Sequence, residues 1–178
     1  MQSPAPTVTE EERRPGAILA IYSWDMLLAL LALLGALAAF GGQATVGNRT
    51  VNVGIGEQIL AAVSSASFAG LLIILATLLT RRHRWVRTAQ IVTMATAIAV
   101  GGVSLLLPAV LPGQGLQASA LIGVLVLVID AAVIVAMTAP RVVAWYSVRE
   151  ARMPSYISAT IGFWAASSAA LIVLQALR

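Results

Sequence analysis

Across 178 residues the chain is 60% hydrophobic and only 10% charged, and it holds no cysteine and one histidine. Soluble domains carry about a quarter charged residues, and a mean hydropathy of +0.93 leaves too little polar surface to cover this much apolar side chain in water. Without cysteine there is no disulfide, thiol nucleophile or cysteinyl metal site. With His83 alone, two-histidine haem ligation within the chain is excluded and a self-contained zinc site is not expected.

All eleven basic residues are arginine and none is lysine, alongside heavy use of Ala, Val and Leu. This pattern reads as a high-GC codon bias rather than a binding device. The pI near 10.7 reflects the sidedness argued below, so no nucleic-acid partner is expected.

Residues 1–16, "MQSPAPTVTEEERRPG", are polar and rich in Pro, and read as a flexible cytoplasmic tail. Residues 17–178 read as one transmembrane helical bundle. Its apolar segments lie at about 17–41, 58–80, 88–111, 117–138 and 155–177, each long enough to cross roughly 30 Å at 1.5 Å per residue. The first has some features of a secretory signal, with Arg13 and Arg14 ahead of an apolar run that ends in "GALAAF". It is longer than the roughly 7–15 residues of a signal core and is interrupted by Asp25, so an uncleaved first helix is expected.

Nine arginines (13, 14, 81, 82, 84, 87, 141, 149 and 152) fall on one side of this arrangement and two, Arg49 and Arg178, on the other. The positive-inside rule then places the amino terminus in the cytoplasm and, after five spans, the carboxyl terminus outside. Tyr22, Trp24, Trp85, Trp145, Tyr146 and Tyr156 fall near the same inner interface, where amphipathic rings prefer to sit; Trp164 lies deeper.

Between the first two spans, residues 43–57 carry β-branched residues around Gly47-Asn48, which suits a short hairpin. Asn48-Arg49-Thr50 is formally a glycosylation sequon, to which no role is given. "LPGQGLQ" reads as a tight turn. From Arg141 to Met153, a helical wheel places Arg141, Trp145, Arg149 and Arg152 on one face. Such a segment suits a short helix in the headgroup layer, with Arg141, Arg149 and Arg152 as candidate lipid headgroup contacts; an ordinary positive-inside loop is the plainer reading.

Small residues recur at every fourth position in several spans. Ser158, Gly162, Ala166 and Ala170 form a candidate packing stripe on the fifth, as do Ala62, Ala66 and Gly70 on the second and Thr93, Ala97 and Gly101 on the third. Such stripes let helix backbones approach where lipid supplies no hydrophobic drive, within the bundle or against another subunit. Ala-rich helices also produce them by chance.

Asp130 sits in "LVLVIDAAVIV", eight residues before the inner end of the fourth span and hence about 12 Å deep. A carboxylate there costs about 2.5–3.5 kcal/mol on insertion scales. Arg141 is three turns away, so relief has to come from taking up a proton or from a partner on a facing helix, for which Thr96 has a similar depth. Asp25 lies about 5–12 Å deep, depending on where the first span begins. Two facing carboxyls at one depth can share a proton, which suits proton or cation coupling. Against transport, no pair of Gly/Pro-broken helices stands in matching positions. The structural alternative is an aspartic acid bonded to a threonine or a backbone carbonyl to fix helix pairing.

No HExxH, GxSxG, P-loop or GxGxxG pattern occurs, so neither catalysis nor a cofactor is expected. The Arg/Trp turn "RRHRWVRTAQIV" followed by "LVIDAAVIVAMTAPRVVAWY" resembles small multi-pass membrane proteins of high-GC actinobacteria, over roughly residues 17–148. The resemblance implies a bacterial inner-membrane location and no particular activity, and the fifth segment departs from its four-helix pattern. The expectation is an all-α integral membrane protein in the lipid bilayer, acting as a non-enzymatic accessory or scaffold subunit beside other membrane subunits or further copies of itself. The alternative is a small proton- or ion-coupled transporter or channel subunit that uses Asp130.

Overall fold

The computed structural model describes residues 15–46, 49–110, 119–147 and 152–177. Helix α1 spans Gly16–Ala38 and closes in a short 3-10 turn, Ala39–Gly41. Gly42 follows with φ +72°, a left-handed conformation that glycine adopts without the Cβ clash of other residues. That turn feeds strand β1, Gln43–Val46, which pairs antiparallel with β2, Arg49–Asn52, so that Gln43 faces Asn52 and Val46 faces Arg49. The hairpin expected between the first two spans is therefore present; residues 47 and 48, the centre of its turn and the first position of the sequon, lie outside the described residues.

Four helices follow the hairpin: α2 (Ile55–Leu78), α3 (Arg84–Val110), α4 (Ser119–Thr138) and the short α5 (Pro140–Tyr146). Helix α6 (Ser155–Ala176) is the last. Helix α2 begins three residues before the expected span. Glu57 in its first turn complements the helix dipole, and Gln58 Nε2 donates to Val53 O at 2.8 Å, which ties the helix start to the hairpin. Helix α5 opens with Pro140 in its first turn, where a missing N–H is harmless. The expected tight turn at 111–117 lies outside the described residues.

Five helices, α1 to α4 and α6, are long and apolar enough to cross a membrane, and together they make an all-α bundle. In such helices all backbone polar groups bond within the segment, which hydrocarbon requires. The last segment, despite its serines and Gln175, is a full-length helix of 22 residues.

The bundle is assembled from two helical hairpins. Helices α1 and α2 pack along each other, as do α3 and α4, and α6 lies against α2 and α3. Between α3 and α4 the fit is close because two glycines face leucines. A methyl group added at Gly101 would come to 3.0 Å of Leu127, and one added at Gly123 to 2.8 Å of Leu105. The core is mostly aliphatic, with Ile18, Ile21, Leu72, Leu79, Val86, Met94, Met137 and Val142 buried. Leu30, Leu34, Leu121, Leu125 and Val128 point outward and are exposed, as suits helices whose outer faces meet lipid tails.

At the arginine-rich end one bond closes the α3–α4 hairpin and another ties the segment after it to α2. Arg87 Nε on α3 donates to Met137 O in the last turn of α4 at 2.7 Å, and the Tyr146 hydroxyl of α5 donates to Leu79 O, just past α2, at 2.7 Å. Both donors meet carbonyls that a helix C-terminus leaves without an intrahelical partner. The Arg82 guanidinium lies 3.8 Å from the centre of the Trp145 ring. Helix α5 differs from the expected headgroup helix in two respects: it ends at Tyr146, so Arg152 is not on it, and Val142 and Tyr146 are buried in the bundle, so it is held by protein contacts as well as by position.

Candidate functional site

Two polar layers cross the apolar interior. The first lies on the arginine-rich side of the mid-membrane region. Asp25 on α1 and Asp130 on α4 stand about 14 Å and 12 Å along their helices from that end. They are 0% and 2% exposed. Gln90 Nε2 on α3 donates to both oxygens of Asp25, at 2.8 and 3.0 Å. Trp24 Nε1 on α1 donates to Asp130 Oδ1 at 2.8 Å. Each carboxyl thus takes its bonds from an uncharged N–H donor on the opposite hairpin, and Asp25 adjoins the Trp24 that bonds Asp130.

Local sequence explains the arrangement. Trp24 and Asp25 are adjacent on α1, about 100° apart around the helix, so one turns toward α4 and the other toward α3. Gln90 and Thr93 are three apart on α3 and share a face. Both are fully buried, and Gln90 Oε1 and Thr93 Oγ1 have no hydrogen-bond partner. Buried polar atoms are nearly always bonded, so these two oxygens mark a place the protein chain leaves incomplete.

The second layer is built of serines on the hairpin side of the bundle. Ser167 of α6 donates to Ser64 Oγ of α2 at 2.9 Å, and Ser168 lies 3.3 Å from the same hydroxyl. Beside them is a cleft of about 250 Å³ with Ser65, Ser104 and Gln175 on its polar walls. Phe68 and Trp164 also line it, stacked with ring centres 4.2 Å apart.

Several sequence-derived residues stand elsewhere than expected. Thr96 is not the partner of Asp130: its hydroxyl donates to Val92 O of its own helix at 2.8 Å, the usual i−4 bond of a threonine in a helix, while Trp24 fills the partner role. Ser158, Gly162, Ala166 and Ala170 do not pack within the bundle, since all four are exposed. The face of α6 that packs carries Ile157, Ile161, Trp164 and Ser167. Ala66 of the second stripe is likewise exposed, whereas Gly101 of the third does meet a neighbouring helix. Trp24 and Tyr146, placed by sequence in the interfacial belt, turn inward to bond Asp130 and Leu79 O. Arg141 and Arg152 are exposed, and Arg149 lies outside the described residues.

Sequence reading missed Gln90, Trp24 as a donor and Thr93 as a buried orphan. A signal was there for Gln90, an amide inside an apolar run, just as for Asp130.

Fold and site together define a multi-pass membrane protein with a carboxyl pair buried between two helical hairpins. Comparison with known proteins adds no name to that class: no protein-family model, no curated protein and no solved structure matches the chain.

Proposed function

We propose that this chain is a non-enzymatic membrane protein that handles a proton or a small cation at Asp25 and Asp130. The observation that carries this reading is the placement of two acidic side chains, both at most 2% exposed, joined through the adjacent pair Trp24–Asp25 and bonded only to neutral donors. Ionisable groups inside a membrane are costly, and their usual return is an ion or proton pathway. A pair that serves only to join helices needs no more than one hydrogen-bonding group per contact, and amides do that without a charge. The serine-lined cleft gives polar access from the hairpin side as far as the Phe68–Trp164 stack.

The test is flux of protons and of sodium ions into liposomes that contain the purified protein and a pH-sensitive or sodium-sensitive dye, driven by a potassium diffusion potential. The reading expects flux in the native protein and its loss in Asp130→Asn and Asp25→Asn proteins that elute as folded species. Equal flux in native and variant liposomes would overturn it.

A second reading, an accessory subunit of a larger membrane complex or of an assembly of copies, is favoured by the exposed small-residue stripe on α6. Close helix approach needs such a surface, and the bundle itself does not use this one. Purification from the native membrane in mild detergent discriminates: this reading expects a stoichiometric companion, and a monomer alone counts against it.

A further inference from the structure

We propose that Asp25, Gln90 and Thr93 form a binding site for one monovalent, oxygen-seeking cation, Na+, within the bundle; this rests on the reading of the carboxyl pair as an ion-handling centre. Three observations converge on α1 and the facing side of α3. Asp25 is fully buried, and both of its carboxyl oxygens lie within hydrogen-bonding distance of Gln90 Nε2, at 2.8 and 3.0 Å. Gln90 Oε1, on the same amide, has no donor. Thr93 Oγ1, one turn along the same helix face, has no partner of any kind and is fully buried.

A single cation answers all three. It neutralises the carboxylate, and it takes the amide and hydroxyl oxygens as ligands. A proton on Asp25 would supply one O–H, leave the carboxyl with a donor where Gln90 presents its own, and satisfy at most one of the orphan oxygens. Divalent ions draw several carboxylates into one site. Among the described residues no group of three or more His, Cys, Asp or Glu stands together. One carboxylate with an amide and a hydroxyl suits a charge of one. Asp130 takes its bond from Trp24 and is not needed as a ligand.

The test uses the full chain in lipid nanodiscs. Thermal unfolding is followed as Na+ replaces choline at constant ionic strength, and binding of radioactive sodium to the native protein is measured by equilibrium dialysis. A ligand that binds only the folded state raises Tm, by an amount that grows with the logarithm of its concentration above Kd. The expected result is a rise of a few degrees with Na+ and not with choline, together with saturable sodium binding. Asp25→Asn and Thr93→Val abolish the response, Thr93→Ser restores it, and Asp130→Asn retains it. Identical melting with Na+ and choline, and no saturable sodium binding, would overturn the site; that is also the outcome if water fills the oxygen cluster. Dialysis of the native protein keeps the test decisive even where a variant does not fold. If sodium does not bind but proton flux into liposomes depends on Asp25 and Asp130, the sodium site falls and the ion-handling reading stands. If both fail, both fall.

Discussion

The indole N–H of Trp24 meets Asp130 Oδ1 at 2.8 Å, joining α1 to α4 across 106 residues of sequence. Neither helix packs closely along the other, since each is paired within its own hairpin. The contact is thus a long-armed polar tie between two hairpins rather than a by-product of close packing. Trp24→Phe keeps the aromatic bulk and removes the donor, and it is expected to lower stability by about 1–2 kcal/mol. Asp130→Asn keeps an accepting oxygen and should cost less. In a double-mutant cycle the pair should show a coupling of about 0.6–1.7 kcal/mol. Denaturation in mixed micelles measures each term, and a coupling of zero would mean that the tie contributes nothing.

Gln90 and Asp25 make the companion tie between α3 and α1, and here the carboxyl is fully buried. Gln90→Leu strands it without a donor, at an expected cost of about 2–3 kcal/mol. Replacing both, as Asp25→Leu with Gln90→Leu, removes the stranded group along with its partner and should recover most of that loss. The thermal midpoints should therefore rank native first, the double variant second and Gln90→Leu last. A double variant less stable than the single would instead show that the site is needed for packing.

The helices were legible in the sequence because membrane spans announce themselves by length and hydropathy, and Asp130 and Asp25 because a charge inside such a run stands out. Their partners were not. A run of apolar residues leaves the rotation of each helix open, and α6 shows the consequence: its small-residue stripe faces outward while Ile157, Ile161 and Trp164 face the bundle. Depth alone matched Asp130 to Thr96. Depth cannot say which side of α3 faces α4, nor that a tryptophan expected at the interface turns its N–H inward.

Gly123 and Gly101 set the approach of α3 to α4, each lying under a leucine of the other helix. Gly123→Val places methyl groups where Leu105 already sits, and the 2.8 Å clearance is too short for even a Cβ. A flexible leucine tip can give way to some extent, so the expected loss is about 1–3 kcal/mol, the usual range for overpacking. Pairing Gly123→Val with Leu105→Ala vacates that space and should restore part of the loss. Failure of the second change to help would place the strain in the backbone rather than at the leucine.

The chain contains no cysteine, so a single introduced thiol reports sidedness without background. Asn52 ends β2 and Ser147 follows α5; both are exposed, and they lie at opposite ends of the bundle. The nine-to-two arginine count puts Ser147 on the cytoplasmic side and Asn52 outside. A membrane-impermeant maleimide applied to intact cells is then expected to label Asn52→Cys and not Ser147→Cys, with the pattern extended to both after the membrane is opened. Labelling of Ser147→Cys alone in intact cells would invert the topology. The serine-lined cleft, which shares the hairpin end with Asn52, would then open to the cytoplasm.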